Sequence, residues 1–134
     1  MYLALLNEKE KNLFLDFAQF LSASDGNIGV EEVEMLKAYC AEMNISTQFK
    51  KPSKPVENII EEINSVSDDR SKKIIIFELI GLALSDSCYD ESEKRLITEA
   101  IQIFDMDENY IQECEKVITE YISVQNRVNN LIFG

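Results

Sequence analysis

Two prolines and four glycines are all the breakers in 134 residues, and both prolines fall in one decapeptide, STQFKKPSKP at 46–55. A chain so short of turn-formers has room for long helices and little else. The spacing of its apolar residues agrees. Leu13, Phe14, Phe17, Phe20 and Leu21 recur at three- and four-residue steps, as on one amphipathic helix face. An Asn7–Glu10 capping box should start that helix, and the Asp25-Gly26 turn should stop it. Val33, Leu36, Tyr39, Cys40 and Met43 mark a second helix from about Val30 to Met43. Val56, Ile59, Ile60 and Ile63 mark a short third one, with Pro55 suited to its first position. IIIFELIGLAL, at 74–84, is apolar on nearly every side and predicts a central buried helix capped by Ser67 or Asp68. A strand is the competing reading, but no other segment offers a partner strand. Gly81 within it suggests close approach by another helix. Leu96, Ile97, Ala100, Ile101 and Phe104 belong to a fifth helix with its own capping box, Asp90 and Glu93. Asp107 suits the cap of a last, long one carrying Ile111, Cys114, Ile118, Tyr121, Val128, Leu131 and Ile132.

These elements predict an all-α, single-domain bundle of six or seven helices over 1–134. A shift of 61 residues lays LSASDGNIGVEEVEML (21–36) on LALSDSCYDESEKRLI (82–97). Asp25 then falls on Asp86 and Glu32 on Glu93. Each segment reads as an apolar helix, an acidic turn and a second helix, so the chain divides into pseudo-two-fold repeats. Repeat one covers about 7–45, a connector and short helix 46–67, repeat two about 68–106, and a C-terminal helix 107–133.

The first acidic turn, SASDGNIGVEE, resembles the second half of an EF-hand loop. Asp25, Gly26, Ile28 and Glu32 stand at the offsets of its positions 5, 6, 8 and 12. Leu21 and Ala23 occupy positions 1 and 3, where neither can bind a cation. The pattern of apolar helix, Ala-x-x-Asp-Gly-x-Ile-x-x-x-Glu and second helix, in FAQFLSASDGNIGVEEVEMLKAYC, resembles the TerB-like family associated with tellurite resistance. FELIGLALSDSCYDESEKRLITEAIQIF looks like that family's second half, with Ser87 and Cys88 where the first turn has its glycine. The resemblance implies a duplicated helical domain in bacterial chemical-stress systems, with a metal proposed at its acidic positions. In this chain those are Asp25, Glu32, Asp86 and Glu93.

Four carboxylates from two facing half-loops would suit Ca²⁺, Mg²⁺ or Mn²⁺. Glu78, inside the most apolar helix, is a further ligand or a structural acceptor. Each carboxylate also has a metal-free reading. Asp favours turns, and Glu in a first helical turn closes a capping box. Composition narrows the rest. The net charge of −12 argues against nucleic acid and anionic membrane surfaces, and suits cations or a protein partner with a basic surface. The absence of histidine removes the commonest zinc ligand and general base. Three cysteines, Cys40, Cys88 and Cys114, share no metal-type spacing and suit a reduced cytoplasm. No signal peptide or membrane span is evident. The expectation is a non-enzymatic cytoplasmic TerB-like domain that senses or buffers a divalent cation. Its alternative is a protein–protein interaction module with an acidic docking surface and purely structural Asp-x6-Glu turns.

Overall fold

Why α4 becomes the centre follows from its composition. It spans Asp69–Ser85, and Ile74, Ile75, Ile76, Leu79, Ile80, Leu82 and Ala83 are all buried, on every side of the helix. Such a helix is satisfied only when surrounded. It packs on α1 (Glu8–Ser22), α2 (Val30–Met43), α5 (Glu91–Ile103) and α6 (Asn109–Phe133), and on a 3₁₀ turn at Leu3–Leu5. A short α3 (Val56–Val66) lies against α1 and α5 through Ile59, Ile60 and Ile63. The computed structural model describes residues 1–23, 30–46, 54–85 and 89–134, with the backbone alone of residue 31. Among these the architecture is an all-helical bundle without strands.

The helix starts follow from their caps. Asn7 accepts from the Glu10 N–H at 2.9 Å, and Glu10 accepts from the Asn7 N–H at 2.9 Å. Asp90 accepts from the Glu93 N–H at 2.9 Å, with the return bond at 3.4 Å. Of the two residues suited to cap α4, Asp68 does so, accepting from the Ser71 N–H at 2.8 Å. That bond holds the Asp68 carboxyl below its usual range. Asp107 accepts from the Asn109 N–H at 2.9 Å at the head of α6. Pro55 departs from expectation by one position. Its φ of −59° suits a helix, but its ψ of 150° is extended, so it precedes α3 and its carbonyl accepts the first helical bonds.

α2 and α5 also end alike. Asn44 and Asp105 stand 61 residues apart, and both have positive φ, 56° and 55°. The N–H groups of Asn44 and Ile45 reach the carbonyls of Ala41 and Cys40. Those of Asp105 and Met106 reach Gln102 and Ile101 in the same pattern. Both are Schellman closures, in which a left-handed residue lets two terminal carbonyls be satisfied. The first residues, Val30 and Glu91, are likewise 61 apart.

α6 is the exception to the packing. Its first half is held on α4 by Cys114 and Ile118, with the Tyr110 hydroxyl donating to the Lys73 carbonyl at 2.9 Å. Every residue from 119 to 134 is exposed. The apolar seam read from the sequence is therefore covered only as far as Ile118. No helix among the described residues is long and apolar enough to cross a membrane.

A candidate apolar groove and the acidic turns

Asp25 and Asp86, with Ser87 and Cys88, lie outside the described residues. Glu32 and Glu93 are described. Each is the third residue of its helix, α2 and α5, and each is buried, at 3% and 6% exposure. Glu93 belongs to the capping box with Asp90. Glu10 provides a comparison within the same chain. It too is a third helical residue in a capping box and is 3% exposed, yet it belongs to no Asp-x6-Glu frame. Capping alone can thus bury a glutamate at this position, without a cation. Among the described residues, no group of three or more Cys, Asp or Glu side chains converges in a way that could hold a metal ion.

Glu78 is 5% exposed. Its Oε1 accepts from the Tyr2 N–H at 3.2 Å and from the Met1 ammonium at 3.0 Å. Glu42 of α2 accepts from the Leu3 N–H at 2.7 Å and from the same ammonium at 2.9 Å. Two helices thereby fix the 3₁₀ turn, whose Leu3 is fully buried. A carboxylate in an apolar helix needs such donors. The structural alternative read for Glu78, acceptor to a turn, accounts for its position.

Beside this clamp, between α2, α4 and α6, runs a groove of about 580 Å³. Met35, Phe77, Leu84 and Tyr121 line its walls, and Tyr39 and Gly81 meet at its floor. Tyr39 packs edge-on against Phe14, and its hydroxyl donates to the Glu78 carbonyl at 3.2 Å. Burial, reinforced by the charges of Glu78 and Glu42, pushes the Tyr39 phenol far up, so it stays a neutral donor. Tyr2 stands edge-on to Phe77, with ring centroids 6.5 Å apart. The glycine is not imposed by a neighbouring backbone. A methyl at Gly81 would meet the Tyr39 hydroxyl at 3.7 Å, an ordinary contact. What approaches Gly81 is a side-chain tip.

The other sequence features are structural. Phe14 and Phe17 are fully buried, and Phe20 packs on the core. Lys54 pairs with Glu62 at 2.8 Å, while Lys50 and Lys51 lie outside the described residues. Cys40 and Cys114 are buried free thiols, each pushed up by burial. Sequence reasoning missed the groove. Gly81 in a helix interior was its one local signal, and the pairing of Phe77 and Leu84 with Met35 and Tyr121 needs the tertiary arrangement. Comparisons with protein-family models, with curated proteins and with solved structures return no match.

Proposed function

We propose that this chain is a non-enzymatic interaction domain, working through the apolar groove and the uncovered seam of α6. One observation carries the reading. Among the described residues, α6 holds eight exposed large hydrophobics: Val117, Tyr121, Ile122, Val124, Val128, Leu131, Ile132 and Phe133. Their exposures run from 37% to 86%, and Val117, Tyr121 and Ile122 also wall the groove. Contiguous apolar surface of this kind marks a contact site rather than ordinary surface. Its natural occupant is an apolar helix face, received between α6 and the bundle. A cytoplasmic setting belongs to the same proposal and suits the free thiols.

Photocrosslinking tests it. A photoreactive residue at Leu84 or Tyr121 should yield protein adducts in a cell extract, whereas one at exposed Glu57 on α3 should not. Adducts no more abundant at the groove than at Glu57 would overturn the reading.

A second reading keeps the TerB-like resemblance and its divalent cation. It is favoured by the 61-residue spacing that Glu32 and Glu93 share with the first residues and the C-terminal closures of α2 and α5. Melting in EDTA and then in excess Ca²⁺, Mg²⁺ or Mn²⁺ separates the two. A cation at ~100 times its Kd adds about 2.7 kcal/mol, several degrees in Tm. Replacing Asp25 and Asp86 by Asn should abolish that shift. The interaction reading expects the same Tm in all four solutions.

A further inference from the structure

We propose that the occupant of this surface is the same surface of a second copy, with the two α6 helices paired antiparallel. The proposal rests on the interaction reading and names its partner. Val117, Tyr121, Val124, Val128 and Leu131 follow one another at steps of four, three, four and three. That is the spacing of a coiled-coil seam, which keeps facing a neighbouring helix. The seam is uncovered, and Val117 and Tyr121 are also groove walls. A helix laid along the seam therefore enters the groove.

Charge selects both partner and direction. The chain carries −12, so most of its surface repels a second copy. Residues 117–134 carry one acidic side chain, Glu120, and one basic one, Arg127, which sum to zero. Both flank the seam on the same side. In an antiparallel pair, Val117 meets Val128 of the second copy and Tyr121 meets Val124. Glu120 then faces Arg127 of the second copy, and the two-fold axis makes this contact twice. In a parallel pair, Glu120 would face Gln125 and Arg127 would face Ile132, with no charge matched. The antiparallel register also sets Val128 and Val124 of each copy against the other's groove walls, Val117 and Tyr121. The eight side chains expose on the order of 800 Å² per chain, about what each side of a standard stable interface buries.

Sedimentation equilibrium on the purified full chain tests this. The wild type should show a concentration-dependent monomer–dimer equilibrium. Val124→Glu with Val128→Glu, both at exposed positions, should leave a folded monomer. Glu120→Arg or Arg127→Glu alone should weaken the dimer about tenfold, since two weak ion pairs become two repulsions. The double swap should restore it to within about twofold of wild type by the same symmetry. A dimer indifferent to both single swaps overturns the antiparallel register. A chain that stays monomeric at all concentrations overturns the proposal. If that monomer still crosslinks other proteins through Leu84 and Tyr121, the interaction reading stands without it. If it instead binds neutral phosphatidylcholine vesicles, both fall.

Discussion

Asn44 and Asp105 close their helices with a left-handed backbone that costs an ordinary L-residue about 1–2 kcal/mol. Asparagine and aspartate tolerate it better than most, and glycine tolerates it best. Asn44→Gly and Asp105→Gly should each raise stability by up to about 0.5 kcal/mol. Asn44→Val should lower it by at least about 1 kcal/mol, read by urea denaturation. Gly81→Ala should also stabilise, by about 0.5–1 kcal/mol of helix propensity, because the added methyl meets only the Tyr39 hydroxyl at 3.7 Å. Asp16 gives a pH signature. Burial, opposed by Lys54 and reinforced by Glu62, lifts its carboxyl above the ordinary value. Ionised Asp16 is therefore disfavoured in the native state, and its cost is present at neutral pH and vanishes below its unfolded pKa. Asp16→Asn should raise Tm at pH 7 and leave it unchanged at pH 3.

At the scale of the element, the legible features were those with a local cause. The Asn7–Glu10 and Asp90–Glu93 boxes form because the bonding groups are three residues apart in the chain. Asp90→Ala should remove about 1 kcal/mol and lower Tm by a few degrees, while leaving the other helices' starts intact. The centrality of α4 was legible for a similar reason, since a helix apolar on all sides has one place to go. Periodicity could not say what covers an apolar face. The seam of α6 is one pattern from Ile111 to Ile132, yet the bundle buries Cys114 and Ile118 and leaves Tyr121 and Val128 exposed. Gly81 stands out in the sequence, but a side-chain tip above a groove floor and a crossing helix leave the same mark there. The acidic turns show the converse. Glu32 and Glu93 were singled out by register, and Glu10, equally buried, shows that capping alone can bury such a residue.

At the scale of the molecule, the six α-helices among the described residues build one apolar core around α4 and project the last of them beyond it. A helix of 25 residues is about 37 Å long, and only its first turns rest on the bundle. A net charge of −12 discourages association over most of the surface, whereas that apolar rod carries one acid and one base. The rod and the groove beside it share Val117, Tyr121 and Ile122, and in the proposed dimer a second copy covers both. Pulsed dipolar spectroscopy on chains spin-labelled through Ser123→Cys or Asn130→Cys, with Cys88→Ser to leave only buried native thiols, measures this directly. An antiparallel pair centred between residues 122 and 123 predicts a self-distance of about 20 Å at position 123, growing to about 30 Å at position 130. Equal short distances at both positions, or no dipolar coupling at either, would contradict it.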